Sequence, residues 1–186
     1  MFHLDKYGNC YDNEPHVLMN ISRTAIYLVT LSLVFLWCLG IAAAPLGTSL
    51  LGENVGSSAL YAFYSKICHQ MESRSFHIGG EKCGVCIRCT AIYGSFLLGL
   101  ALYPLIRKFS TTSVPHRVWF VVAVAPMIFD VALSVLGIHT STWLTRTLAG
   151  AVFGLAMPWF LMPSLLDAVI QLQLRRKIGV KNTVSH

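Results

Sequence analysis

Charged side chains are scarce in this chain. Only 12% of its 186 residues are Asp, Glu, Lys or Arg, whereas 55% are hydrophobic and the mean hydropathy is +0.62. Soluble domains carry about 25% charged residues, so this composition excludes an ordinary water-soluble protein and indicates a membrane protein. The sequence also lacks internal repeats and low-complexity segments. Its length allows one domain.

Four apolar runs are long enough to cross a membrane. A helix rises about 1.5 Å per residue, so about 20 residues cover the roughly 30 Å of hydrocarbon. The runs occupy residues 24–46, 87–106, 118–137 and 143–166. The sequence therefore predicts an all-α integral membrane protein with four transmembrane helices. Its membrane domain is expected at 24–166, between an N-terminal tail at 1–23 and a basic tail at 167–186.

The first apolar run ends in three alanines, Ala42, Ala43 and Ala44, which resemble a signal-peptidase site. The run is longer than the apolar region of a typical signal peptide, and it starts late in the chain. We therefore interpret it as an uncleaved anchor. Its removal would leave three spans.

The positions of Lys and Arg predict the orientation of the spans, because cytoplasmic segments carry an excess of both. With the N-terminus inside, nine lie on the cytoplasmic side: Lys6, Arg23, Arg107, Lys108, Arg117, Arg175, Arg176, Lys177 and Lys181. Four lie on the opposite side: Lys66, Arg74, Lys82 and Arg88. We therefore expect a multi-pass protein of the cell membrane with both termini in the cytoplasm.

We interpret the net charge of +6 mostly as a topology signal, because most of the Lys and Arg residues lie in the segments assigned to the cytoplasm. No nucleic-acid-binding motif accompanies it, so we expect no nucleic-acid partner. A basic tail beside a membrane more often meets anionic lipid headgroups. The expected partner is the lipid bilayer.

Residues 59–94, which follow the first span and reach into the start of the second, are expected to hold a short helix and a Cys/His-rich outer loop. Residues 47–58 are rich in Gly, Ser and Asn, which predicts a loop. One apolar helical face follows, at positions i, i+3, i+4 and i+7, formed by Leu60, Phe63, Tyr64 and Ile67. This helix is expected either to lie at the membrane surface or to be a small helix that packs against the rest of the protein.

Four of the six cysteines lie in this outer segment, and they are Cys68, Cys83, Cys86 and Cys89. Thiolates and imidazole bind soft and borderline metals, and thiols also exchange electrons as disulfides. Cys86 and Cys89 are three residues apart, so a helical turn would bring their sulfurs to one face, where both can reach a Zn²⁺ at about 2.3 Å. Cys68 and His69 would complete the ligand set if the preceding helix has ended before them.

Three interpretations of these cysteines remain open from the residues alone. The first is a Zn site formed by Cys68, His69, Cys86 and Cys89. The second is thiol–disulfide chemistry, for example in a quinone-linked oxidoreductase, and the third is a structural disulfide. A haem-attachment C-x-x-C-His sequence is absent.

Two charged residues lie within the apolar part of predicted spans, Asp130 in the third and Arg146 in the fourth, whereas Arg88 lies ahead of the uncharged stretch 90–106 of the second. A charge at the centre of a span costs about 2.5–3.5 kcal/mol on insertion scales, so each of the two is a candidate for function. The simpler alternative is a direct ion pair between them. Tyr93, four residues after Cys89, is expected on the same helical face and is a further candidate.

The motifs resemble those of a prokaryotic family of small multi-pass membrane proteins of unknown function. They are Cys68-His69-Gln70, Arg74-Ser75-Phe76, Cys86-x-Arg88-Cys89 and Ile92-Tyr93-Gly94, followed by residues 126–130, 146–150 and Gly154. The likeness covers roughly residues 59–163. It implies that Cys68, His69, Cys86 and Cys89 are the recurring set, that Asp130 and Arg146 are its later polar positions, and that Cys83 is additional.

We therefore expect a metal site at the outer membrane face, above Asp130 and Arg146. If one coordination position is open, the site is catalytic on a lipid-borne or small anionic substrate, with Asp130 or His69 moving a proton and Arg146 holding the anion. If four protein ligands close it, the protein is an accessory or binding subunit. Gly150 and Gly154 would let another helix approach the fourth span closely.

Overall fold

The computed structural model of the chain describes the backbone of residues 15–107, 113–138 and 140–184, and side chains within 23–172. In chain order the elements are α1 (Pro15–Leu51), α2 (Val55–Ser65), a 3₁₀ turn (Glu72–Arg74), β1 (Ser75–Ile78), β2 (Glu81–Cys86), α3 (Ile87–Ile106), α4 (Arg117–Val135) and α5 (Trp143–Val184). Most of the predicted N-terminal tail, Lys108 and the side chains of the basic C-terminal residues lie outside the described residues.

Four helices are long and apolar enough to cross a membrane, which confirms the predicted architecture. The candidate spans are Arg23–Leu51, Ile87–Ile106, Arg117–Val135 and Trp143–Leu172. Large apolar side chains are exposed along them, as expected for surfaces that face lipid, and they include Leu33, Phe35, Leu105, Trp119, Phe129 and Trp143. The first and fourth spans extend beyond their predicted ends, to Leu51 and Leu172.

The loop predicted at residues 47–58 is much shorter, because helices occupy most of it. α1 continues to Leu51 and α2 begins at Val55. Asn54 allows this tight turn: its side-chain oxygen accepts a hydrogen bond from the Ser57 N–H at 2.9 Å, and its amide donates to the Gly47 carbonyl at 3.2 Å. Such N-caps satisfy the free N–H groups at a helix start.

The connection between α2 and α3 contains a β-hairpin that was not predicted from the sequence. β1 and β2 are antiparallel, with Ile78 opposite Glu81 and Ser75 opposite Cys86. Gly79 and Gly80 both have positive φ, as a two-residue hairpin turn requires. The hairpin carries the chain back to the start of α3, where the clustered cysteines lie.

Close packing of α3 against α5 forms the centre of the bundle. A Cβ at Gly150 would lie 2.8 Å from the Arg88 carbonyl oxygen, and one at Gly154 would overlap the Ile92 carbonyl oxygen. The helix that approaches these two glycines is thus α3 of the same chain. A buried apolar cluster at one end of this contact consists of Tyr27, Leu100, Tyr103, Met162 and Leu166.

Replacing Gly154 with Ala is expected to destabilise the bundle by about 1–3 kcal/mol, because the added methyl group overpacks the α3–α5 contact. Gly94→Ala is a matched control in α3, since a Cβ there meets nothing within 4 Å. Thermal unfolding of both variants in detergent measures the difference. Equal midpoints for the two variants would contradict this account of the α3–α5 interface.

Candidate functional site

Three thiols meet where β2 passes into α3. Cys86 ends β2 and is the N-cap residue of α3, Cys89 lies in the first turn of α3, and Cys68 follows α2. Their Sγ atoms all lie within 4.8 Å of one another. Cys68 is buried, whereas Cys86 and Cys89 are partly exposed. The predicted convergence of these three cysteines is therefore present in the fold.

Gln70 explains how Cys68 reaches the other two thiols. Its side-chain amide donates hydrogen bonds to the Tyr61 carbonyl at 2.9 Å and to the Gly84 carbonyl at 2.7 Å, so it ties the Cys-His-Gln turn to α2 and β2. Its φ of +48° makes the turn sharp. The Cys68 sulfur then accepts a hydrogen bond from the Cys86 backbone N–H at 3.1 Å.

The environment of Cys86 favours its thiolate form. Hydrogen bonding from the Cys89 thiol lowers the pKa of Cys86 below its ordinary value, against the opposing effect of burial, and backbone N–H groups of α3 act in the same direction. Burial alone raises the pKa of Cys83. Cys83 is 3% exposed and is not part of the three-thiol cluster, which agrees with its interpretation as an additional cysteine.

His69 does not join the thiols as a fourth ligand in the described structure. α2 ends at Ser65, so the condition for Cys68 and His69 to act together is met. However, among the described residues the ligand atoms that lie within 4.8 Å of one another are the sulfurs of Cys68, Cys86 and Cys89 alone. His69 is exposed and lines the cavity next to them.

A cavity of about 330 Å³ opens beside the thiols. The polar residues that line it include Cys68, Cys86, Cys89, His69, Arg74, Arg88 and Arg146. Its apolar lining includes Ile67, Met71, Val131 and Val135. The cavity thus combines soft metal ligands with a cluster of positive charge.

Asp130 lies behind this cavity and pairs with Arg88. The Arg88 guanidinium donates to one carboxylate oxygen, and the Ser141 hydroxyl lies 2.9 Å from both oxygens. Arg146 reaches the carboxylate only through Ser141, to which its Nε donates at 3.0 Å. The alternative of a direct Asp130–Arg146 pair is therefore wrong, because Arg88 is closer and occupies the carboxylate.

Tyr93 belongs to an aromatic cluster rather than to the cavity. Its ring lies 5.7 Å from that of Trp37 in an edge-to-face arrangement, and Trp37 also packs against Tyr64. The described lining of the cavity does not include Tyr93. The i, i+4 spacing from Cys89 correctly brings Tyr93 near the thiols, but the ring supports them from behind.

Arg88, Arg74 and Ser141 were not among the candidate residues from the sequence. Arg88 stands between the two cysteines of the C-x-R-C motif, and a buried Asp130 requires a cationic partner, so these two signals together could have identified it. Ser141 carries no such signal, because its role depends on how the α4–α5 connection folds over Asp130.

Removing the Asp130 carboxylate is expected to destabilise the fold by about 3–5 kcal/mol, because Asp130→Ala leaves the partly buried Arg88 without its counter-ion. Glu72→Ala is the matched control, since Glu72 is exposed and solvent screens its pairs with His77 and Lys82, so they contribute little to stability. Chemical or thermal unfolding in detergent compares the two variants. A similar small loss for the two variants would contradict the structural importance of the pair.

Comparisons with known proteins place the chain in a family. Residues 68–173 match the family DUF2085, described as predicted membrane proteins, and this stretch contains the three clustered cysteines, Asp130 and Arg146. An uncharacterised protein of Methanocaldococcus jannaschii is 34% identical over 148 residues, which cover 77% of this chain and 94% of that relative. No solved structure matches the chain. The resemblance inferred from the motifs is confirmed: the chain belongs to the DUF2085 family of membrane proteins.

Proposed function

We propose that the protein is a membrane metalloenzyme whose Zn²⁺ is held by Cys68, Cys86 and Cys89. The observation that carries this proposal is the cluster of three sulfurs within 4.8 Å, beside a cavity and without a fourth protein ligand atom among the described residues. Three protein ligands and one open position are typical of catalytic zinc sites, whereas structural sites have four.

The arrangement of the sulfurs fits this metal. Tetrahedral zinc with Zn–S bonds of about 2.3 Å requires sulfurs roughly 3.8 Å apart, which is compatible with the observed upper limit of 4.8 Å. The N–H of Cys86 donates to the Cys68 sulfur, and such hydrogen bonds orient metal ligands. A lowered Cys86 pKa also favours metal binding, because the thiolate is the ligand form.

The surrounding residues supply the other requirements of a catalytic site. Bound zinc would act as a Lewis acid toward an oxygen at its open position. Arg146 and Arg88 would hold an anionic group in the cavity, and His69, which is exposed there, would transfer a proton. Asp130 is engaged by Arg88 and Ser141, so its role is to position the guanidinium rather than to move a proton.

Purified protein is expected to contain about one zinc ion per chain, because the three thiols form a suitable set. Cys68→Ser, Cys86→Ser and Cys89→Ser should each lose most of the metal. Cys83→Ser is the control and should retain it, since Cys83 is buried outside the cluster. Elemental analysis with a count of free thiols measures both quantities.

The zinc content of His69→Ala tests whether one coordination position of the metal is left open by the protein. Retained zinc is expected, because the imidazole is not a member of the cluster. Loss of zinc from this variant would mean that His69 closes the site, and the proposal would then change to a structural metal in an accessory or binding subunit.

A thiol–disulfide reaction is the second candidate, and the lowered pKa of Cys86 beside two further thiols favours it. A thiolate attacks disulfides, and a neighbouring thiol can then resolve the mixed disulfide. Absence of metal together with two oxidised cysteines in the purified protein would select this function over the zinc centre.

We further propose that the cysteine-bearing end of the bundle faces the outside of the cell membrane. The support is the excess of Lys and Arg in the segments assigned to the cytoplasm. Arg107 and Arg117 flank the connection between α3 and α4 at the end opposite to the thiols. Both termini are then cytoplasmic.

Labelling of two engineered cysteines tests this orientation. Ser73→Cys lies in the exposed turn beside the hairpin, and Ser113→Cys is exposed in the α3–α4 connection. A membrane-impermeant thiol reagent should label Ser73→Cys in intact cells and Ser113→Cys only after permeabilisation, after subtraction of the wild-type signal. The reverse pattern would refute the orientation.

A further inference from the structure

We propose that the cavity binds a phosphate group, and that a phosphate monoester is the substrate class of the site. Three arginines, Arg74, Arg88 and Arg146, line one cavity of about 330 Å³. Arginine forks match the oxygens of phosphate and carboxylate better than other side chains do. The assignment rests on the proposed zinc centre, because the three cysteines that would hold the metal line the same cavity.

The charges of the cavity are not balanced by the protein. Among the described residues, Asp130 is the one carboxylate that forms an ion pair with these guanidiniums, and it pairs with Arg88. Three positive charges against one negative charge leave two in excess. A zinc ion with three thiolates adds one negative charge, so the cavity remains positive with the metal bound. An anion is therefore the ligand that this site lacks.

The donor groups are held in place and are incompletely used. Arg146 is oriented by the hydrogen bond from its Nε to Ser141, and Arg88 by its pair with Asp130. The Nε of Arg88 is buried and has no hydrogen-bond partner in the described structure. An unpaired buried N–H is costly, and the pair with Asp130 does not satisfy all of the Arg88 donors.

The number of groups in the cavity that can bind an oxygen favours phosphate over carboxylate as the ligand. Three guanidiniums and one open metal position require up to four acceptor oxygens. A phosphate group carries four oxygens, whereas a carboxylate has two. Metal and arginine together form a recurring arrangement for phosphoryl groups, because both stabilise charge on the same oxygens.

Two sources can present this chemistry to the cavity. A free phosphate monoester would enter from the water phase, through the side lined by the exposed residues His69 and Arg74. A lipid phosphate headgroup would enter from the bilayer, because the cavity is also lined by Val131 and Val135 at the end of the α4 span. The same guanidiniums would bind either one.

Equilibrium dialysis of radiolabelled inorganic phosphate against the detergent-solubilised full chain tests the site. Arg146→Gln is expected to weaken binding about tenfold, since it removes a charged hydrogen-bond donor from the cavity. Arg74→Gln, at an exposed position, should weaken it about threefold with no effect on folding. Arg107→Gln is the matched control, because it removes the same charge at the opposite end of α3 and should leave binding unchanged.

A second arm compares glycerol 3-phosphate with dioctanoyl phosphatidic acid, which carries the same phosphate on two acyl chains. Tighter binding of the acylated compound, reduced by Val135→Ser, supports the phosphate site with a lipid as its source. Equal binding of the two supports the site with a soluble source. Binding of both compounds that Arg74→Gln and Arg146→Gln leave unchanged would overturn the inference.

Zinc content is measured in the same samples, so that the two proposals fail separately. Zinc with no phosphate binding overturns the substrate class and leaves the metal centre standing. Phosphate binding that depends on Arg146 in protein without zinc overturns the metal centre and supports the anion site.

Discussion

The ion pair between Arg88 and Asp130 is the contact on which the cysteine-bearing end of the bundle depends. Asp130 is 8% exposed and lies within a span, where an uncompensated carboxylate would be costly. Arg88 comes from the first turn of α3, and Ser141 comes from the connection that precedes α5. One carboxylate thus links α3, α4 and the start of α5. α4 otherwise packs mainly on α5, so this pair is a principal contact between α3 and α4. The cavity lies beside it, lined by residues of α3, α4, α5 and the turn after α2.

The thiol cluster has a different origin, in backbone hydrogen bonding rather than in charge. The hairpin returns the chain to α3 in a register that leaves Cys86 at the helix start, and Gln70 attaches the turn after α2 to β2. Cys68 is thereby held against the N–H of Cys86. Behind these residues, Ile41, Tyr64 and Val85 form a buried cluster against which Trp37 and Tyr93 pack. The sulfurs are therefore pre-positioned before any ligand binds, which lowers the entropic cost of binding one.

The spans and the Cys86–Cys89 pair could be predicted from the sequence, because both depend on short-range spacing. Cys68 lies 18 residues before Cys86, and its place in the set followed from the motif resemblance rather than from spacing. An apolar run of sufficient length and an i, i+3 pair require no knowledge of tertiary structure. The partner of Asp130 does not follow from spacing alone, because Arg88 is 42 residues away in the chain. The need of a buried carboxylate for a cation leaves Arg88 and Arg146 as candidates, and the fold of the α4–α5 connection decides between them. The predicted length of the loop at 47–58 was wrong, because Asn54 caps α2 and the turn between α1 and α2 has only three residues. The hairpin had a signal in Gly79 and Gly80, but its polar sequence resembles an ordinary loop.

The position of Arg88 between Cys86 and Cys89 connects the two halves of the site. On a helix, residues three apart share a face, whereas the residue between them projects about 100° away from its neighbour. The first turn of α3 therefore directs two thiols toward Cys68 and one guanidinium toward α4, where Asp130 receives it. Any shift of α4 that moved Asp130 would pull on the turn that carries both sulfurs. The thiols of Cys86 and Cys89 and the guanidinium of Arg88 are therefore placed by a single helical turn, so the contact of Arg88 with Asp130 also helps to fix the position of two of the three sulfurs.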